Sequence, residues 1–427
     1  MLMTMSLYVY VMFISFCGIL RKVTVIKASR SQQLEIVDEI QRNVMETDKA
    51  EVKDNSSDDE PEWLSAAKFI TKKAQDVRIR KEGIKQLALH IMVWCTDTLK
   101  YEKISDMSES ITNKFVRKYE FYPFKEDPRI SDWLFVLHTL NFSLWYPKDK
   151  KQWTVNGNHG FLGLCNAMKR LIDKNVPIWV PQCYSNITET EFEYMFQGDD
   201  KKVTIPLVHE RVKILHEVGK ILLKNYKGTF TECIRSSEND GDKLVKLLFN
   251  EFESYRDEVE YEGLKVRFCI KARALVNDIW TYHKTYEPKF KLDTKNLMSS
   301  IFVNYRAPEL LYHYDILRYS DKLMDRFTNN KNHSKTHCIF FVAEPLEYGS
   351  REEIELRGCS LLAVKLICQE VNDISKYYNR EAIRILLTEH FKVPILVDNY
   401  LFISLIEIFD KGFEEQKPFH YIKTVHY

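Results

Sequence analysis

One carboxylate stands alone in an otherwise apolar stretch of the chain. Asp398 lies in the run ILVDNYLFI, residues 395–403, whose other members are mostly large hydrophobic side chains. A buried charge without a partner is costly, so this carboxylate is expected either to contact a ligand or to pair with a cation. The sequence predicts one of these two roles for Asp398, a ligand contact or a salt bridge inside its helix, and leaves both open.

Two cationic side chains could serve an anionic ligand such as a phosphate. Arg357 follows Glu355 by two residues, a spacing that does not place both on one helix face. We therefore predict that Arg357 is an internal anchor first and a phosphate ligand second. Lys423 is a candidate for the same phosphate on its charge alone, and a solvated lysine is the simpler alternative.

The cysteines do not form a metal-binding pattern. The nine cysteines include no CxxC pair and no zinc-type spacing with histidine, and glycine-rich phosphate loops are absent from the sequence. The cysteines are predicted to be small core side chains in a reducing compartment. Neither a metal ion nor another cofactor is predicted.

Composition describes the scaffold that must position these groups. The chain has 427 residues, of which 45% are hydrophobic, enough for a sizeable core. Lys and Arg (62) nearly balance Asp and Glu (61), so no overall charge would draw the protein to nucleic acid. With only 13 Gly and 12 Pro and no internal repeat, the sequence favours long helices.

The first 62 residues differ from the rest. Residues 1–20 carry no charge and are long enough to cross a bilayer, which predicts either a signal anchor or an artefactual extension of the gene. Residues 21–62 are predicted to be a disordered acidic linker, since 46–62 hold eight acidic and two basic side chains. The folded domain is predicted over 63–427.

Helical signals dominate that domain. Capping boxes predict helix starts at 188–191 and 350–353. A further helix is predicted from about Pro206, with Gly228 as its stop. Short strands are predicted near 151–156 and in a hairpin that turns at Gly263.

These signals define the fold class. The residues from 329 to 336 read as an exposed loop. The expected fold is mainly α, a single compact helical domain with a few short β-strands.

A stretch of the sequence, SDWLFVLHTLNFSLW at 131–145, resembles the DTLNFSFW signature of the queuosine salvage proteins, which are queuosine 5′-phosphate N-glycosylases. The resemblance covers about residues 65–427 and allows a DNA-glycosylase-like helical architecture. Further family-like segments follow in order: PLVHERVKILHEVGKILLKNYKGTF at 206–230, SYRD at 254–257, FVNYRAP at 302–308, EIELRGCSL at 353–361, ILVDNYLF at 395–402 and PFH at 418–420.

The resemblance implies hydrolysis of the N-glycosidic bond of queuosine 5′-phosphate. This reaction passes through a ribosyl cation, and a nearby carboxylate stabilises that charge and handles the proton of the attacking water. The family segment reads like MFADYRxP, and Asn304 stands at its Asp position. Asn304 is therefore the expected catalytic position, although an amide can hydrogen-bond a water but cannot take its proton.

Other family positions carry exchanged side chains. His138 replaces the Asp of DTLNFSFW, and Tyr119 stands where the family has a His. Asn399 replaces a usual Tyr and Ile403 an Asp. The resemblance implies a substrate-binding set of Tyr119, His138, Asn141, Phe302, Tyr305, Arg306, Asp398, Asn399, Phe402 and Ile403; ordinary core packing is the alternative for Phe302 and Tyr305.

Asp278 is a second carboxylate of interest. It matches the family's Asp before Trp in KARALVNDIW. It would substitute in catalysis if it faced the cavity, and otherwise it is a supporting or structural residue.

Three functions compete at this level. The first is the N-glycosylase, which acts on a small modified nucleotide in the cytoplasm without direct contact to nucleic acid. The second is a pseudoenzyme that binds a modified nucleotide or acts as an interaction protein, because side chains of the family are replaced together at Tyr119, His138, Asn304, Asn399 and Ile403. The third is a membrane-tethered scaffold, which requires that residues 1–20 are retained.

Overall fold

The computed structural model describes part of the chain, which forms two compact units. The described residues are 60–98, 129–146, 150–286, 292–293, 306–328, 345–376, 393–410 and 420–427. The first unit contains 81–98, 366–376 and 393–410 of these residues, and the second unit contains the others.

Helices form most of both units. Fourteen are found among the described residues: α1 Glu62–Lys73, α2 Lys81–Thr98, α3 Ile130–Leu140, α4 Gly160–Asp173, α5 Pro181–Tyr184, α6 Glu189–Met195, α7 Val208–Asn225, α8 Phe230–Ser236, α9 Gly241–Glu251, α10 Ile270–Tyr286, α11 Ala307–His313, α12 Asp321–Thr328, α13 Arg351–Lys376 and α14 Val393–Asp410.

Four short strands accompany them in two antiparallel pairs. Strands β2 (Glu258–Tyr261) and β3 (Leu264–Arg267) form the predicted hairpin. Its turn residues Glu262 and Gly263 have φ of 50° and 78°, as a tight two-residue hairpin requires. The sequence missed the other pair, β1 (Val77–Ile79) with β4 (Leu317–Tyr319), whose strands lie far apart along the chain. The mainly helical fold class with a few short strands is confirmed.

Two local predictions fail in part. Near 151–156 there is no strand but one isolated bridge between Val155 and Asn158. Helix α13 begins where predicted, but its capping box does not form. The Glu353 carboxylate accepts from Gly349 N at 3.1 Å, because it is held in a buried ion pair described below. By contrast, the capping box at Thr188 forms with both hydrogen bonds.

Helix α3 is the centre of the second unit. All its residues from Ile130 to Leu140 are buried, because it contacts α4, α7, α8 and α10. Phe135 stacks on Phe230 with 4.4 Å between ring centroids and on Tyr255 with 5.8 Å. The polar side chains of a helix that is buried on every face cannot hydrogen-bond to water, so they must find partners inside the protein.

In the first unit, helix α2 contacts α14. Trp94 meets Tyr400 edge to face, with 5.6 Å between ring centroids. Several apolar residues of α14, including Leu396 and Leu401, are buried. No helix among the described residues is long and apolar enough to cross a membrane. Residues 1–59 and the loop at 329–336 lie outside the described residues, so the predicted domain boundaries stay predictions.

Candidate active site

The predicted site residues divide into three groups. Tyr119, Phe302, Asn304 and Tyr305 lie outside the described residues. The second unit contains three others, His138, Asn141 and Arg306. The first unit contains Asp398, Asn399, Phe402 and Ile403.

The four residues of the first unit lie on α14. Asn399 is buried, with 1% of its surface exposed. Asp398, Phe402 and Ile403 are partly buried. Their roles in substrate binding stay predictions, as do both alternatives for Asp398.

A buried histidine–aspartate pair lies at the C-terminal end of α3, the helix that carries part of the family signature. His138 Nε2 donates to Asp278 Oδ2 at 2.9 Å, and both side chains are almost fully buried. Helices α3 and α10 run antiparallel here, since Ser131 Oγ meets His283 Nε2 at 3.0 Å near the other end of α3. The substitution at position 138 therefore places a hydrogen-bond partner beside Asp278, and the carboxylate fixes the orientation of the imidazole.

The turn that leaves α3 carries Asn141 and is tightly held. Asn141 caps the helix, with its N–H donating to His138 O at 3.2 Å. The guanidinium of Arg211, which is fully buried, donates to Leu140 O and to Phe142 O, the latter at 2.7 Å. Carbonyl oxygens at and just after the end of α3, which have no partner within the helix, thus accept hydrogen bonds from a charged side chain of α7.

Lys271 lies two helical turns before Asp278 on α10, so the two share a face. Its Nζ donates to Val425 O at 2.8 Å and lies 4.5 Å from the centre of the Tyr255 ring. Burial lowers the pKa of Lys271 to about 7, against the opposing effect of Glu217. A lysine in this state can exchange a proton near neutral pH.

A second buried ionic cluster surrounds Arg357. Its guanidinium lies 2.7 Å from Asp257 Oδ1 and 2.5 Å from Glu353 Oε1, with all three side chains at most 2% exposed. Burial works against the charged guanidinium, but the two carboxylates outweigh it and raise its pKa. Tyr427 OH donates to Glu353 Oε1 at 2.5 Å, and Tyr348 OH donates to Asp257 Oδ1 at 2.9 Å. The geometry matches the predicted role of Arg357 as an internal anchor.

Each of the remaining candidate residues has a different environment. Arg306 precedes α11 and pairs with Glu309 at 2.7 Å. Glu355 is fully buried and accepts backbone N–H groups of 75–77 together with Tyr261 OH at 3.0 Å, so it fixes that loop. Lys423 is exposed. Among the described residues, no cluster of three or more His, Cys, Asp or Glu side chains is arranged to hold a metal ion.

The family model for the queuosine salvage protein matches residues 121–427, more than half of the chain. The chain belongs to the queuosine salvage protein family. Three relatives carry the name queuosine 5′-phosphate N-glycosylase/hydrolase. The Bos taurus protein is 32% identical over 307 residues, covering 71% of this chain and 82% of the relative.

The other two relatives extend the match. The Mus musculus protein is 29% identical over 306 residues, covering 71% of this chain and 82% of the relative. The Nematostella vectensis protein is 25% identical over 370 residues, covering 84% of this chain and 96% of the relative. The identities describe a divergent member of the queuosine salvage family.

The sequence alone did not predict the contacts of Lys271, Asp257 and Tyr427. Lys271 was not predicted, although its spacing of seven residues from Asp278 puts both on one helix face. Asp257 belongs to the SYRD segment, but its pairing with Arg357 depends on residues far apart in the chain. No local pattern could assign a role to Tyr427.

Proposed function

We propose that this chain is an enzyme that hydrolyses the N-glycosidic bond of queuosine 5′-phosphate and releases queuine for reuse in tRNA modification. Family membership over residues 121–427 carries the proposal. The relatives named as N-glycosylase/hydrolases match about 71–84% of the chain and most of their own length. The position of His138 in the family signature and its buried hydrogen bond to Asp278 support an active rather than a degenerate site.

The reaction needs a group that takes a proton from water. Water oxygen bonds to C1′, the bond from C1′ to the base nitrogen breaks with its electrons on the base, and the proton lost by water finally resides on the base. Asp278 holds His138 through Nε2, which leaves Nδ1 as the ring nitrogen for a water or ligand. We assign to His138 the role of general base and to Asp278 that of orienting it.

Asn304 has a different role in this scheme. An amide at the position of the family's Asp can orient the water by a hydrogen bond, but it supplies no negative charge to the ribosyl cation. Asn141, Arg306, Phe302 and Tyr305 are proposed as substrate contacts. Tyr119 and the α14 residues Asp398, Asn399, Phe402 and Ile403 remain proposed contacts of the nucleotide.

The proposed location is the cytoplasm. Seven cysteines of the described part of the chain are free thiols, as is typical of a reducing compartment. The near balance of 62 basic and 61 acidic side chains supports a small nucleotide as substrate, with no direct contact to nucleic acid.

Product analysis tests the function. The purified chain is incubated with queuosine 5′-phosphate, and queuine and ribose 5-phosphate are quantified by mass spectrometry. Asp278→Asn should lower turnover by about 100-fold, because it removes the charge that orients and stabilises the imidazole. Asp173→Asn, at a largely exposed carboxylate paired only with Lys169 nearby, is the matched control and should turn over normally. Tight binding without any queuine from the wild type would instead identify a pseudoenzyme.

A further inference from the structure

The segment 420–427 is bonded to the turn that leaves the motif helix α3. Ser143 Oγ donates to Thr424 O at 2.8 Å and accepts from Thr424 N at 2.9 Å. Trp145 Nε1 donates to Ile422 O at 2.8 Å. These bonds join two segments that are distant in sequence, so only the folded chain brings them together.

The turn itself is strained at one residue. Ser143 has φ of 43°, in the left-handed region that a residue with a Cβ seldom adopts. Such a conformation is unfavourable for a residue with a Cβ and persists only where its surroundings hold it. Here Arg211 holds the turn from one side, through Phe142 O, and Thr424 holds it from the other.

The far part of the same segment is fixed to other elements. Val425 O accepts from Lys271 Nζ at 2.8 Å, and the His426 ring stacks on Tyr348 with 4.7 Å between centroids. Tyr427 OH donates to the buried carboxylate of Glu353 at 2.5 Å. The segment is therefore anchored at both ends, with the strained turn bound between them.

We propose that Ser143 and Tyr427 are positioning residues for the reaction, through which the segment 420–427 fixes the last turn of α3 and keeps His138 against Asp278. This inference rests on the proposed function, because it treats the end of α3 as part of the active site. His138 lies in the terminal helical turn, where backbone carbonyls lack helical partners and ends fray. A shift of that turn would move the imidazole away from a productive position.

Two variants test the positioning role in the full chain. Ser143→Ala removes the hydroxyl that bridges to Thr424, and Tyr427→Phe removes the bond to Glu353 while it keeps the ring. Both should lower kcat for queuine release by about tenfold, because a small misplacement of a catalytic group is enough to do so. KM should stay within about twofold, since substrate contacts remain. Tyr194→Phe, at a side chain that is 72% exposed, is the matched control and should leave both constants unchanged.

Hydrogen exchange provides a readout that does not depend on turnover. The variants should speed exchange at amides of 421–425 and also at 138–142, because the two regions are coupled. Faster exchange at 421–425 alone, with kcat unchanged, would overturn the positioning role. If the wild type releases no queuine, the proposed function has failed, and the exchange data alone decide whether the segment holds the end of α3. If Ser143→Ala does not fold, Tyr427→Phe carries the same test.

Discussion

Replacing Lys271 by Met should change how the stability of the protein depends on pH. Lys271 is only 5% exposed, and its pKa is lowered from 10.5 to about 7, chiefly by burial. The groups that act on it are Glu217 and Asp257, which raise the pKa, and Arg211, which lowers it. Met keeps the length and apolar character of the side chain while it removes the charge.

The sign follows from proton binding in the two states. Between pH 7 and pH 10.5, the unfolded chain holds the lysine proton more firmly than the folded chain does. Unfolding therefore takes up a proton, and the stability of the wild type rises with pH across this window. At 1.36 kcal/mol per pKa unit, this group contributes a rise of about 2–3 kcal/mol between pH 6 and pH 9. Met contributes none.

Urea unfolding at several pH values from 6 to 9 measures this difference. The stability of Lys271→Met relative to the wild type should fall by about 2–3 kcal/mol over the range, whatever constant cost follows from the lost bond to Val425 O. Lys265→Met, at a lysine whose side chain is 74% exposed, is the control and should run parallel to the wild type. If the curve of Lys271→Met is also parallel to the wild type, folding does not lower the pKa of this lysine, and the reasoning is wrong.

Three further predictions concern charge. Asn304→Asp should raise queuine release by at least about tenfold, roughly 1.4 kcal/mol of barrier, with a smaller change in substrate affinity; an unchanged rate in steady-state assays would show that position 304 does not limit turnover. Arg357→Met should destabilise the protein by about 3–5 kcal/mol in urea unfolding, because it leaves Asp257 and Glu353 buried without their cation, and a loss under about 1 kcal/mol would contradict this. Burial lowers the pKa of His426 to about 4, so the unfolded chain binds a proton at this residue before the folded chain does as pH falls below 6.5. In urea unfolding, His426→Phe should therefore lose less stability than the wild type between pH 6.5 and pH 4. Equal losses in the two proteins would contradict this prediction.

Local elements could be predicted because their signals lie within a few residues of one another. The capping box at Thr188 needs only Glu191, three positions on, and the hairpin turn needs only a residue such as Gly263 that tolerates positive φ. At Ser350 the same signal predicted the start of the helix correctly, but the hydrogen bonds of a capping box do not form there. Glu353 is held by Arg357 and Tyr427, and the sequence around Ser350 contains no sign of the latter.

The candidate site divides in the same way. The sequence by itself determined the family, the helical class and the exchanged positions, including His138, because these are properties of residue type and order. Tertiary structure alone decided that His138 meets Asp278, that Lys271 is desolvated beside Val425 O, and that Ser143 is held in a strained turn by Thr424. Each of these contacts joins residues more than 100 positions apart, and its energy depends on burial and orientation, which exist only when the helices have packed together.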